Sequence, residues 1–125
     1  MARFQYTDLH ITEEQKLDFC PLTVTQNAIA GRWKIMILWH LSQHEVIRFT
    51  ELQRMLPGIS KGILTRQLRE LEDDGMIHRE VYKVVPPKVE YSLSADGKAF
   101  VPVLEAMQNW GQGLLARKIA EHEGE

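Results

Sequence analysis

The chain has 125 residues, 44% hydrophobic and 26% charged, with a formal net charge of −2. That length and balance suit one globular domain around a single core and exclude a chain that is disordered throughout. The negative balance also excludes an indiscriminate binder of nucleic acid that works by bulk charge.

The distribution of charge is more informative than its sum. Residues 31–91 hold 10 Lys/Arg against 8 Asp/Glu, a net of +2, whereas the remaining residues hold 5 against 9, a net of −4. A mildly basic centre between acidic ends suits a protein whose middle touches phosphate. No apolar run reaches the ~18–20 residues of a membrane span. The first residues, MARFQYTDLHITEEQ, lack a signal-peptide core. A single cysteine precludes an intrachain disulfide, so a cytoplasmic location is expected.

In chain order, Thr12-Glu13-Glu14-Gln15 has capping-box spacing and opens a short helix to about Phe19. Cys20-Pro21 breaks it. A second box, Thr23-Val24-Thr25-Gln26, opens a longer helix to about Ser42, with Ile29, Trp33, Ile37 and Leu41 recurring every four residues. Thr50-Glu51-Leu52-Gln53 starts a third helix, which Pro57-Gly58 stops. Ser60 caps a fourth that runs to Gly75. The period then changes to two. Ile77, Arg79 and Val81, then Val89, Tyr91 and Leu93, mark two strands of a hairpin with a proline-bearing tip. Ser94 caps a last helical region, which Pro102 should kink or restart. The expected fold is mainly α with a small β-hairpin (α+β). Two short helices across a tight turn, followed by a hairpin, read as a winged helix-turn-helix.

The stretch GISKGILTRQLRELEDDG, residues 58–75, carries Lys61, Arg66 and Arg69 early and Glu70, Glu72, Asp73 and Asp74 late. A helix dipole favours the reverse. Projected at ~100° per residue, Leu64, Leu68, Leu71 and Gly75 form a core stripe, and Gly62, Thr65, Arg66 and Arg69 face away. Such a face suits a polyanion. Arg66 and Arg69 can grip guanine edges or phosphate, Thr65 can offer its methyl to thymine, and Gly62 allows close backbone approach. Backbone N–H groups near Ser60 can hold a phosphate, with Lys61 beside them. In the hairpin, His78, Arg79, Lys83 and Lys88 are placed to reach flanking groove or backbone. The expected partner is double-stranded DNA. The rival reading is a winged helix used as a protein–protein adapter without sequence-specific DNA binding.

The stretches CPLT at 20–23, GRWKIMIL at 31–38, RFTEL at 48–52, GISKGILTRQLRELEDDG at 58–75, PPKVEYSLSADG at 86–97 and VPVLEAMQNW at 101–110 resemble the HxlR-type winged helix-turn-helix transcription regulators, relatives of the MarR regulators. The likeness spans roughly nine-tenths of the chain, in the family's order and spacing. It implies a homodimer on a pseudopalindromic operator, with the last helix and the N-terminal segment building the dimer interface. It also implies a packing role for Trp33 within the first long helix. Ser94-Ala95-Asp96 stands where members often have Thr-Glu, a change confined to the cap. The division expected is an arm at 1–23, a winged helix-turn-helix core at 24–93 and a dimerisation helix at 94–125. Independently of family, Phe100, Val103, Leu104, Met107, Trp110, Leu114 and Leu115 exceed what a small head needs for its own core. They either cover a partner or pack on the helix at 24–42.

Cys20 precedes a helix N-terminus, where the dipole favours thiolate. Some HxlR-type members use a cysteine at this place as an electrophile or oxidant sensor, which makes Cys20 a candidate redox sensor and a small electrophile a candidate effector. The bland alternative is a small residue buried between helices. His40 and His44 have i, i+4 spacing but no carboxylate or thiol partners, so no metal and no cofactor are expected. No GxSxG, phosphate loop or Cys-His-Asp set appears, so no enzyme is expected. The function expected is a sequence-specific DNA-binding regulator, a repressor rather than an activator.

Overall fold

The computed structural model describes residues 20–124, so the capping box at Thr12–Gln15 lies outside the described residues. Helix α1, Pro21–Ile29, starts on proline with Cys20 as its N-cap. Proline suits this first position because its missing N–H would have no partner there. The single helix expected over 24–42 is in fact two. Ala30 turns extended and Gly31 takes φ +117°, a conformation open to glycine, before α2 restarts at Lys34–Gln43. Trp33 is therefore the residue before α2 rather than inside a long helix, half-buried against the core.

A two-residue strand β1, Ile47–Arg48, follows, and its existence was not read from the sequence. Helix α3, Phe49–Met55, begins one residue before Thr50, and no side-chain cap closes it. Gly58, at φ +89°, makes the turn into α4, Lys61–Asp73. Gly75 then ends α4 at φ +75° in a Schellman arrangement: its N–H donates to the Glu72 carbonyl at 2.9 Å, and the Met76 N–H to the Leu71 carbonyl at 2.9 Å. Strands β2, Ile77–Tyr82, and β3, Lys88–Leu93, form the hairpin. The sheet is antiparallel in the order β1-β3-β2, with Ile47 opposite Tyr91 and Ile77 opposite Leu93.

Helix α5, Ala95–Glu123, is continuous. Pro102 lies inside it and does not restart it. Pro102 and Lys98, whose carbonyl the ring deprives of a partner, are both exposed residues, where water can satisfy that group. At 29 residues the helix is about 44 Å long, and residues 115–124 are exposed throughout.

The core gathers one face from every element after α1. Ile37, Leu38 and Leu41 of α2 meet Leu52, Leu64, Leu68 and Leu71 of the helix-turn-helix, Ile47, Ile77, Tyr91 and Leu93 of the sheet, and Leu104 of α5. The stripe Leu64, Leu68 and Leu71 is 0–1% exposed, as its spacing predicts. Gly75 is exposed and belongs to the turn, not to that stripe.

Candidate nucleic-acid interface

Helix α4 is held so that its outer face is free. The Ser60 hydroxyl accepts from the Ile63 N–H at 3.1 Å, which fixes the first turn. Leu64, Gln67, Leu68 and Leu71 are buried, and Lys61, Gly62, Arg66 and Arg69 are exposed on the remaining surface. Thr65 is half-buried, and its hydroxyl donates to the Lys61 carbonyl at 2.8 Å, which leaves the methyl as its outward chemistry. The first turn of α4 has no acid and the last no base. Among the described residues neither Arg66 nor Arg69 makes an ion pair.

Arg79 lies opposite Tyr91 in the β2–β3 register. Burial pushes the Tyr91 phenol above its ordinary value, while Arg79, at its hydroxyl, and Arg69 act in the other direction. Helix α4 also packs against β2, so the base of the wing and α4 meet at one seam. Further out, Lys83 is exposed just past β2, whereas Lys88 is already engaged. Its ammonium lies 3.0 Å from Glu90 Oε1 and 4.4 Å from the centre of the Tyr82 ring. His78 is similarly paired with Glu80 at 3.0 Å.

Three exposed or cleft-lining residues beside this surface were not singled out from the sequence. Ile63 is 37% exposed on the outward side of α4, an apolar residue off the leucine stripe, and that offset was the available signal. Arg48 and Thr50 line a cleft of about 490 Å³ shared with Val85, Pro87 and Lys88 at the wing tip. No sequence signal pairs 48–50 with the wing, because only β1 pairing with β3 brings them together.

The residues expected at a dimer interface divide. Leu104 is 2% exposed within the single subunit and has no surface left for a partner. Phe100 and Met107 are half-buried against the same core, and Leu114 is half-buried. Val103 is 42%, Trp110 69% and Leu115 60% exposed. Cys20 is exposed, which removes the reading of a thiol buried between helices. The Thr23 backbone N–H, then the Leu22 N–H and the Thr23 hydroxyl, hold its thiol below the ordinary value. His44 stands beyond the end of α2, and His40 is held low by burial and then by His44.

Gly62 provides a direct check of this surface. A Cβ there meets nothing within 4 Å. Gly62→Ala should raise the unfolding free energy by roughly 0.5–1 kcal/mol through helix propensity. With α4 docked on a duplex through its exposed face, the same methyl would hold the two apart, so operator affinity measured by anisotropy should fall. Tighter binding by the stabilised variant would remove Gly62 from the interface.

A capped helix with a basic outer face, set behind a tight turn and beside a β-hairpin, defines a winged helix-turn-helix DNA-binding protein. Residues 28–119 match the model of the HxlR-like helix-turn-helix family. The chain is 50% identical over 93 residues to the uncharacterized HTH-type transcriptional regulator YdeP of Bacillus subtilis (strain 168), covering 74% of this chain and 72% of YdeP. It is 46% identical over 93 residues to YybR of the same organism, covering 74% of each. Among solved structures, the redox regulator HypR in its oxidized form superposes with a TM-score of 0.70 at 46% identity, covering 75% of this chain and 96% of HypR. Reduced YodB from B. subtilis gives 0.65 at 32%, covering 74% and 90%. The chain belongs to the HxlR-like helix-turn-helix family and is a winged helix-turn-helix transcriptional regulator. Among the described residues no helix is long and apolar enough to cross a membrane.

Proposed function

We propose that the protein is a dimeric repressor that places α4 of each subunit in successive major grooves of an inverted-repeat operator. The observation that carries this reading is the outer face of α4: Lys61, Gly62, Arg66 and Arg69 are exposed, no acid stands in the first turn, and neither arginine is neutralised. Two such helices are expected about 34 Å apart, or a multiple of that. Arg66, Arg69 and the Thr65 methyl are the proposed readers of base edges. Ser60, Lys61, Arg79, Lys83 and Lys88 are the proposed phosphate contacts. The distal face of α5, with Val103, Trp110 and Leu115 exposed, is the proposed dimer surface, with Phe100, Met107 and Leu114 at its base. An apolar face of this kind on a helix that outruns its own head is what a second copy would cover. Gel shift against the intergenic DNA beside its gene, with dimer mass measured in the same buffer, tests the reading. A monomer that binds all duplexes alike would refute it.

Cys20 is proposed as the input. Its exposure and its favoured thiolate fit attack on an oxidant or electrophile. HypR, a redox regulator, is known in reduced and oxidized forms, and YodB in a diamide-treated form, and both share this fold. With one cysteine per chain, any disulfide joins two subunits or a small thiol. The rate of alkylation by iodoacetamide should rise with pH through a midpoint below that of an unperturbed cysteine, because the folded thiol loses its proton more readily. Diamide should alter operator affinity of the wild type and leave Cys20→Ser unchanged. Equal responses would exclude the thiol as the input.

A further inference from the structure

Lys34 has no role in the interface described so far. It is 1% exposed, the single buried cation among the described residues, and its ammonium lies 2.9 Å from Glu70 Oε1. The pair joins the first turn of α2 to the last turn of α4. Replacing such a pair by packed apolar groups is often neutral or stabilising, so its value is sought in what it specifies.

Glu70 stands four residues after Arg66 on α4. On a helix surface these are neighbours, and a carboxylate at that spacing attracts a guanidinium. Yet Glu70 is paired inward with Lys34, its side chain 28% exposed, and Arg66 is exposed with no ion pair among the described residues. Lys34 itself touches nothing outside the protein.

We infer that Lys34 is a positioning residue for DNA recognition: it draws the Glu70 carboxylate into the subunit and so keeps Arg66 un-neutralised for the duplex. The inference rests on α4 being the DNA-reading helix. Without Lys34, Glu70 swings outward to Arg66, competes with the nucleic acid for the guanidinium and sets a negative charge against phosphate.

The probe is the duplex that the wild type selects from a randomised pool, compared with a random duplex by fluorescence anisotropy, with thermal melts to check folding. Lys34→Met should bind the selected duplex about three- to ten-fold more weakly, in line with the loss of one charged contact. Lys34→Met/Glu70→Gln, which also removes the competing carboxylate, should return to within about two-fold of wild type. A merely structural role for Lys34 predicts no such return. A folded Lys34→Met that binds as wild type, or a double variant as weak as the single, overturns the proposal. Should Lys34→Met fail to fold, Glu70→Gln alone must bind at least as well as wild type, and a drop overturns it. A wild type with no preference for any selected duplex sinks the proposal together with the assignment of α4. Selection by the wild type with equal binding by Lys34→Met sinks the proposal alone.

Discussion

Arg66→Ala and Arg69→Ala are each expected to weaken operator binding by about 5- to 150-fold, the equivalent of roughly 1–3 kcal/mol for a base-edge contact. Both side chains are exposed and make no ion pair among the described residues, so unfolding free energies should stay within about 0.5 kcal/mol of wild type. The loss should concentrate on the selected sequence and leave binding to random DNA less affected. Lys83→Ala should behave differently, weakening all duplexes alike and reducing the salt slope by about 1. Lys88→Ala should do less than Lys83→Ala, because Glu90 and the Tyr82 ring already occupy the Lys88 ammonium. Affinity measured against salt for each variant on both duplexes checks the division. If the arginine and lysine variants fall on one common slope, readers and anchors are not separate classes.

Gly97→Ala should destabilise the fold by about 2–3 kcal/mol or more, although it adds a single methyl. Gly97 is buried in the first turn of α5, where a Cβ would run into the Met76 backbone carbonyl and the Leu93 side chain. That carbonyl cannot retreat freely. It already accepts from the Ser94 N–H at 3.1 Å, while the Ser94 hydroxyl donates to the Gly75 carbonyl at 2.6 Å and accepts from the Gly97 N–H at 3.1 Å. The start of α5 is thus fastened to the turn that ends α4. The contrast with Gly62, where the same methyl meets open space, separates steric cost from helix propensity. Urea denaturation of the two variants measures both. A Gly97→Ala midpoint equal to wild type would mean that this junction is loosely packed.

Most of the helix-turn-helix could be read from the sequence because its signals are local. Ser60 as a cap, Gly58 and Gly75 as turn residues, and the leucine stripe of α4 act within a few residues of themselves. The exposed basic face followed from the same periodicity. What escaped depends on distant partners. Strand β1 is two residues long and exists through β3, more than forty residues away. Lys34 would ordinarily be placed on the surface, and Glu70 holds it inside. The break between α1 and α2 was hidden because Ile29, Trp33, Ile37 and Leu41 keep their four-residue period straight across Gly31, whose positive φ leaves no mark on periodicity. Likewise, the apolar residues of α5 look alike in sequence. Packing against α2 turns Leu104 inward, and Trp110 remains outside.

That break has a consequence for how the molecule is built. Helix α1 contains no buried residue, and Gly31 separates it from the element that does carry core. Its contact with the core is made at its far end, where Ile29 is half-buried against it. The sole sulfhydryl thus stands at the exposed N-cap of α1, outside the buried cluster, so chemistry at Cys20 removes no side chain from that cluster.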